Sequence, residues 1–133
     1  MNRRYTDVAR RAGHRCEYCR EPEVAFNFTF EVEHVVPTSK GGGEDSANLA
    51  LACRACNVRK SDATSAPDEV TGAETRLFNP RSDRWNEHFQ VDADSGEITG
   101  RTPIVQVTVV RLDMNHALQL AARQVWMQLR LFP

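Results

Sequence analysis

The pattern of apolar and polar positions divides the first half of the chain into a helix, a hairpin and a second helix. Residues 3–13 have the spacing of a short arginine-rich helix that ends at Gly13. Alternating apolar and polar residues over 26–36 predict a strand, and the apolar run 48–52 predicts another after a glycine-rich loop. A helix is expected to begin near Cys53. The predicted hairpin therefore has a long loop and is followed directly by a helix.

The second half of the chain has a less regular pattern. Residues 61–75 are polar and small, which predicts a mobile connection. Residues 86–100 predict a hairpin that turns at 94–96. Residues 102–112 are β-branched enough for a strand, but Thr102 and the proline after it are typical of a helix start. We favour the helix.

The end of the chain predicts an amphipathic helix within residues 114–132. Its apolar positions recur every three or four residues, so we expect that face to cover the hairpin sheet or to contact a second copy. The residues on that face are Leu118, Ala121, Ala122, Val125, Trp126 and Leu129.

The composition is that of an ordinary folded protein. The 133 residues are 41% apolar and 26% charged, which suits one domain with a modest core and argues against global disorder. A net charge of −1 gives no whole-chain signature of nucleic-acid binding, but residues 1–20 hold six arginines against Asp7 and Glu17. Because no apolar stretch reaches membrane length and no signal peptide is recognisable, we expect a cytoplasmic protein without a membrane partner.

Four cysteines in two Cys-x-x-Cys pairs predict a structural zinc site. Cys16 and Cys19 precede the hairpin, and Cys53 and Cys56 follow after 33 intervening residues. In a reducing compartment four thiolates favour a metal over two disulfides, and tetrahedral Zn²⁺ takes four such ligands. The metal would clamp the hairpin between its two ends. The alternatives are unliganded thiols or a redox pair, but the βαβ pattern of redox pairs is missing.

A glutamate beside a histidine ends the first hairpin strand. Neighbouring strand residues point to opposite faces, so we expect Pro37 and the glycine loop to disturb the ladder and aim Glu33 and His34 into one site. A carboxylate that holds a hard cation, beside an imidazole that deprotonates water, is a hydrolytic arrangement. The alternative is a solvated carboxylate beside a surface histidine. The pair alone favours this alternative.

The longer stretch around this pair resembles the HNH nuclease motif, in the zinc-stapled branch of the ββα-metal (treble-clef-like) family. The matching residues, in the family's order, are Glu33-His34, Pro37, Gly41 to Gly43, Asn48-Leu49, Cys53, Cys56, Asn57 and Lys60. The resemblance covers residues 14–62. It implies an α+β fold with a ββα-metal core, an N-terminal helix and a four-cysteine zinc site, followed by a hairpin-plus-helix extension over 76–133 that packs on the core within a single domain.

The resemblance also implies roles for four residues. His34 matches the general base that activates water, and Asn48 matches the asparagine that braces the hairpin loop. Glu33 and Asn57 match the two positions that hold the catalytic divalent ion. The family more often has aspartate and histidine there, and the oxygen ligands of this chain favour Mg²⁺ or Mn²⁺. The alternative for Asn57 is a helix-start cap that completes the zinc turn.

Basic residues near these positions are candidates for holding DNA. Contacts from arginine and lysine to phosphates give affinity without sequence preference. We expect such contacts from the helix after the second cysteine pair and from the N-terminal arginine cluster. The candidates are Lys60, Arg59, Arg54, Arg10 and Arg11. The alternative for each is a solvated charged surface.

The extension contains a polar segment, residues 77–89, with two interpretations. Arg81, Arg84 and His88 either line the active cleft or surround core anchors, with the arginines in salt bridges. We favour the second, in which Trp85 and Phe89 are the anchors.

The sequence thus predicts a metal-dependent HNH endonuclease that nicks or cleaves DNA, most simply duplex DNA, as a monomer or homodimer. Its cofactors would be structural Zn²⁺ and catalytic Mg²⁺ or Mn²⁺. The first alternative is a zinc-stabilised DNA-binding module without catalysis, which would bind DNA and never cut it. A purely structural zinc domain, without DNA affinity, and a thiol oxidoreductase are the remaining alternatives.

Overall fold

A computed structural model describes residues 2–133, over which short helices and short strands alternate. The helices are α1 (Tyr5–Arg11), α2 (Arg54–Lys60), α3 (Trp85–His88), α4 (Pro103–Arg111) and α5 (Ala117–Gln128). The strands are β1 (Glu31–His34), β2 (Leu49–Ala52), β3 (Ser65–Pro67), β4 (Glu74–Arg76), β5 (Phe89–Val91) and β6 (Ile98–Gly100). Each strand pairs antiparallel with its neighbour in sequence, as β1–β2, β3–β4 and β5–β6. The predicted α+β class is confirmed.

The predicted ββα unit consists of β1, β2 and α2. Glu31 lies opposite Ala52 and His34 opposite Leu49, so the ladder is unbroken along β1. All four residues of β2 are buried, in contact with α1 on one side of the hairpin. Helix α2 starts at once after β2 because the Cys53 sulfur caps it, accepting a hydrogen bond from the backbone N–H of Cys56.

Strand β1 is shorter than the alternation of residues 26–36 predicts. Residues Glu23–Phe26 form a 3₁₀ turn, and Asn27 follows in the left-handed conformation with φ of 60°. The phenylalanines form an aromatic cluster, with the Phe26 ring 5.1 Å from Phe30 and 5.6 Å from Trp126. The apolar residues before Glu31 thus hold α5 against the hairpin.

Residues 61–75, predicted as a mobile connection, contain the β3–β4 hairpin. Its turn is closed by Asp68, whose carboxylate accepts hydrogen bonds from the backbone N–H of Val70 at 2.8 Å and of Thr71 at 3.0 Å. An Asx turn of this kind folds a polar segment locally, without apolar side chains. The prediction failed because it treated polarity as a sign of missing structure.

Two predictions for the extension are confirmed. The β5–β6 hairpin turns at the predicted place, where Gly96 has a φ of 76°. Helix α4 replaces the strand alternative, and the Thr102 hydroxyl accepts a hydrogen bond from the N–H of Val105 at 3.4 Å. The helix cap thus outweighed the β-branched composition of this segment, which alone favours a strand.

The apolar face of the last helix does not cover the hairpin sheet as a whole, which was one of its two predicted roles, and contact with a second copy stays a prediction. Leu118 is 76% exposed, Leu129 63% and Val125 52%, while the buried residue of α5 is Arg123. The Arg123 guanidinium donates to the backbone oxygens of Gly96 at 2.7 Å and Met114 at 2.6 Å. Helix α5 therefore packs through a cation that satisfies buried carbonyls and through the half-buried Trp126, while most of its apolar face lies in solvent.

The extension shares one apolar core with the ββα unit. Phe78, Trp85 and Phe89 belong to the same buried cluster as β2, and the Trp85 indole donates to the backbone oxygen of Tyr18 at 2.7 Å. Arg81 forms an ion pair with Glu17. The favoured interpretation of the 77–89 segment is therefore correct for the core anchors Trp85 and Phe89 and for Arg81, whereas Arg84 is exposed and forms no ion pair among the described residues. No helix within residues 2–133 has the length and hydropathy of a membrane span.

Candidate metal centre and active site

The four cysteines lie together at the junction of the hairpin and α2. Their sulfur atoms are all within 4.8 Å of one another, and all four residues are buried. Zn–S bonds of about 2.3 Å in a tetrahedron place the sulfurs about 3.8 Å apart. The Cys19 and Cys53 sulfurs are 3.8 Å apart. The cluster therefore fits a structural zinc ion, with Cys16 and Cys19 before the hairpin and Cys53 and Cys56 at the start of α2.

Two buried charged groups lie beside the cysteines. Burial, and then the negative charge at Cys16, raise the pKa of Glu21 to about 7. Burial lowers the pKa of Arg123, while the charges of Cys19 and Glu21 act in the opposite direction. The cation of α5 is thus within electrostatic reach of the cysteine cluster and of Glu21.

His34 ends strand β1 at the edge of the glycine-rich loop. Its side chain is 25% exposed, and its Nε2 lies 2.7 Å from a carboxylate oxygen of Glu44. Among the described residues, its other ring nitrogen, Nδ1, has no hydrogen-bond partner. One nitrogen is therefore held by the protein while the other is open to a ligand.

Asn48 joins the two ends of that loop. Its amide nitrogen donates to the backbone oxygens of Val36 and Gly43, each at 2.9 Å, and its amide oxygen accepts from the N–H of Val36 at 2.9 Å. Val36 follows His34 by two residues. These contacts join the backbone just after the histidine to the far end of the loop, which is the place of a bracing residue.

Glu33 lies on the opposite side of the hairpin from His34. The ladder stays regular through both residues, so the predicted disturbance by Pro37 is absent and strand alternation holds. The Glu33 side chain is 3% exposed and accepts hydrogen bonds from the Tyr18 hydroxyl and the Lys60 ammonium. Burial raises the pKa of Glu33, against the opposing effect of Lys60. Both oxygens of Glu33 are therefore used inside the protein.

Asn57 is in contact with a different acid. Its amide nitrogen donates to Glu31 at 2.5 Å, and Arg54 lies 3.3 Å from the same carboxylate. Among the described residues no hydrogen bond joins Asn57 to Glu33. The structure therefore does not assemble the predicted Glu33–Asn57 pair of ion ligands, and Glu31, which was not a predicted site residue, is the acid beside Asn57.

Residues 16–63 match the sequence model of the HNH endonuclease family. This segment is an HNH endonuclease domain. The match spans all four cysteines, the β1–β2 hairpin and α2, which are the parts assembled above. Searches of curated proteins and of solved structures found no match to the chain.

The structure separates the five basic residues that were candidates for holding DNA beside the HNH domain. Lys60 is 1% exposed and donates to the backbone oxygen of Val35 at 3.0 Å, so the prediction that it contacts a phosphate is wrong. Arg11 donates to the backbone oxygens of Ser46 at 2.8 Å and Leu49 at 2.5 Å. These two cations support the hairpin from inside and from the side.

The other three basic residues differ in how far their side chains are free to contact a phosphate. Arg59 lies 3.3 Å from the backbone oxygen of Asp113, so it is turned towards the extension. The side chains of Arg10 and Arg54 are 73% and 71% exposed, with one weak ion pair each. Arg10 and Arg54 therefore remain as candidates for phosphate contacts.

Sequence reasoning missed Tyr18 and Glu44 as partners of the HNH motif residues. Tyr18 lies between two zinc ligands, where its spacing drew attention only to the cysteines. Glu44 directly follows the glycine run. The feature that could have pointed to it as a partner of His34 is an acidic residue in a loop that returns towards that histidine. Its meaning depends on how the loop folds back, which spacing alone does not specify.

Proposed function

We propose that the HNH domain hydrolyses phosphodiester bonds of duplex DNA with His34 as the general base. The observation that carries the proposal is the state of the histidine ring: one nitrogen is held by Glu44 and the other is open. A general base needs a free acceptor nitrogen within reach of water, and a fixed orientation. The family match makes a nucleic acid the expected substrate.

In this mechanism His34 Nδ1 takes a proton from a water molecule as the water oxygen attacks phosphorus. The new bond joins that oxygen to phosphorus, and the bond from phosphorus to the 3′ oxygen breaks, which leaves a 5′ phosphate on the product. The leaving oxygen takes a proton from solvent. Asn48 keeps the backbone beside His34 in place and is proposed to act through position alone.

A dependence on Mg²⁺ or Mn²⁺ is part of the proposal. A bound divalent ion supplies positive charge against the charge that develops on the phosphate and the leaving oxygen. Glu33 and Asn57 do not fit as its joint ligands, because Glu33 is enclosed with Lys60 and Tyr18. Glu31 and Asn57 are in contact and partly exposed, so they are oxygen donors of the right kind. Strand alternation, however, puts Glu31 on the same side of β1 as Glu33 and opposite to His34, so this pair does not hold the ion beside the proposed base.

Arg10 and Arg54 are proposed to contact the DNA backbone. Both are highly exposed, and cations of this kind give affinity that falls as salt is raised. Because the net charge of the chain is only −1, we expect modest DNA affinity from the surface outside the cleavage site.

A second candidate function is a zinc-stabilised DNA-binding module that does not cut. The observation that favours it is the buried Glu33–Lys60 pair, which occupies the acid expected to hold the ion. Its matching prediction is DNA binding without cleavage under any divalent ion.

The test is cleavage of supercoiled plasmid with Mg²⁺, Mn²⁺ or EDTA, with wild type beside His34→Ala. His116→Asn is a matched control, because His116 caps α5 through a side-chain nitrogen and asparagine also caps helices. We expect metal-dependent cutting by wild type and control, and none by folded, zinc-loaded His34→Ala. Equal cutting by all three would refute the role of His34. DNA binding without cutting by any of them would favour the second candidate.

A further inference from the structure

The ring of His34 is held by a carboxylate from the far side of its own loop. Glu44 lies ten residues after His34, and its Oε1 is 2.7 Å from Nε2. A carboxylate at neutral pH only accepts hydrogen bonds, so the proton of a neutral His34 ring belongs on Nε2. The lone pair is then on Nδ1, the nitrogen without a partner among the described residues. Glu44 thus selects which nitrogen is able to accept a proton.

The backbone that carries Glu44 is fixed from several sides. Asn48 donates to the oxygen of Gly43 at 2.9 Å, and the Arg4 guanidinium donates to the oxygen of Glu44 at 3.2 Å. Arg11 binds the oxygen of Ser46 two residues further on. Gly42 is needed there, because a Cβ at this position would lie 1.7 Å from the backbone oxygen of Val36. The carboxylate is therefore placed by a braced loop.

We propose that Glu44 is a positioning residue for His34, and that Arg4 and Arg11 support it by holding the loop. This rests on the proposed function. Glu44 keeps the proton on Nε2 and stabilises the positive ring that forms when Nδ1 takes the proton from water. The proton stays on the ring and Glu44 remains ionised, as in other histidine–carboxylate pairs of hydrolases.

If Glu44 acted only through its negative charge, its removal would affect DNA binding and cleavage differently from the loss of a positioning residue. Its side chain is 68% exposed, and a surface carboxylate beside the cleavage site repels a polyanion. If Glu44 were only such a charge, its loss would strengthen DNA binding and leave or raise the cleavage rate. A positioning role predicts a lower kcat in spite of that gain in binding. The two explanations therefore differ in sign.

The kinetic test uses Glu44→Ala and Glu44→Gln, with Asp45→Asn as the matched control. Asp45 is the next acid in the same loop, exposed and without a side-chain cap bond, so its loss removes the same charge from nearly the same place. We expect kcat to fall about 10- to 100-fold in Glu44→Ala and less in Glu44→Gln, with KM unchanged or lower. Asp45→Asn is expected to keep the wild-type kcat. A kcat at or above wild type in Glu44→Ala overturns the proposal.

A double variant separates action through His34 from independent action. In a His34→Ala background, Glu44→Ala is expected to cost nothing further, because a positioning residue has no effect once its target is removed. An additional loss of the same size in that background would show that Glu44 does not act through the ring.

A spectroscopic readout keeps this test independent of cleavage. Long-range ¹H–¹⁵N spectra of the imidazole rings, assigned with His34→Ala, report the tautomer of the neutral His34 ring. We expect the Nε2–H form in wild type and a mixture in Glu44→Ala. The same mixture in both would refute the proposal for Glu44. If wild type never cuts DNA but shows the Nε2–H form, the proposed function fails while the Glu44–His34 contact stands.

Discussion

Each half of the molecule is built around one fully buried cation, and the two are satisfied in different ways. Lys60, in the HNH domain, binds the carboxylate of Glu33 and the backbone oxygens of His34 and Val35. Arg123, in the extension, binds backbone oxygens and stacks over the ring of Phe132, without a carboxylate in hydrogen-bond contact among the described residues. A buried charge is costly unless it is compensated. The two halves therefore differ in the source of that compensation.

Negative charge near Arg123 also comes from the HNH domain. The groups that favour its charged form are Cys19, Glu21 and Cys56, which are in or beside the cysteine cluster. Four thiolates around one Zn²⁺ still carry net negative charge, so zinc binding does not remove this attraction. The comparison indicates that the HNH domain pairs its buried cation with a carboxylate, whereas the extension satisfies its buried cation with backbone oxygens and has acidic groups of the HNH domain within electrostatic reach.

Removing the zinc ion is expected to have the largest effect on this comparison. Structural zinc sites contribute about 10–16 kcal/mol of apparent binding free energy, more than a domain of this size has in reserve. Treatment with a chelator, or Cys53→Ser, is expected to unfold both halves, because they share one core. Circular dichroism and amide NMR spectra before and after chelation measure this. An extension that stays folded without zinc would contradict the dependence.

The buried pair in the HNH domain should have the next largest effect. Glu33→Gln or Lys60→Met each leaves one charge buried without its partner, which is expected to cost about 3–5 kcal/mol in the free energy of unfolding. The double variant with Glu33→Leu and Lys60→Met should cost less than the sum of the single changes, because no lone charge remains. Urea titration measures each value.

The control for that pair lies on the same helix. Arg54 pairs with Glu31, but its side chain is 71% exposed, so Arg54→Met is expected to change stability by less than about 1 kcal/mol. If Lys60→Met were as mild as Arg54→Met, Lys60 would not be the enclosed cation described above, and Glu33 would again be available as an ion ligand.

Arg123→Met tests the buried cation of the extension, and we expect a smaller change in the free energy of unfolding than for the Glu33–Lys60 pair. Methionine fills similar space, but the backbone oxygens of Gly96 and Met114 lose their donor, for an expected cost of about 2 kcal/mol. Part of that cost is offset because a buried charge is also removed. Amide hydrogen exchange should show the loss first in the β5–β6 turn around Gly96. Unchanged exchange in that turn would contradict the role of Arg123.

The parts that the sequence predicted are those where residue type and spacing together limit the geometry. Two Cys-x-x-Cys pairs around a hairpin have few ways to surround one ion, and Thr102 before a proline caps a helix by local contacts. The partner of Glu33 was not predictable in this way. Lys60 meets Glu33 only because α2 crosses the hairpin, and that crossing depends on tertiary packing.

The last helix shows why an amphipathic pattern alone was misleading. The apolar stripe of α5 was expected to cover the hairpin sheet or to contact a second copy, because burial of apolar area is the usual reason for such a stripe. The opposite face carries Arg123, whose hydrogen bonds to two buried carbonyls fix the helix in the other orientation. A guanidinium donor that satisfies backbone groups has no periodicity that a sequence reveals.

The smallest expected effect comes from the exposed face of α5. Leu118→Gln and Val125→Gln replace residues that are 76% and 52% exposed, so each should change stability by less than about 0.5 kcal/mol. Leu112→Ala, at a residue with no exposed surface, is the contrast and is expected to cost about 2–5 kcal/mol.

Urea titrations at two protein concentrations, with sedimentation velocity, measure these stabilities and the oligomeric state. A concentration-dependent loss of stability in Leu118→Gln would mean that a second copy covers this face, because dimerisation stabilises the folded state by mass action. Contact with a second copy would then be a further source of stability for the extension, since α5 would be held by Arg123 on one side and by the second copy on the other.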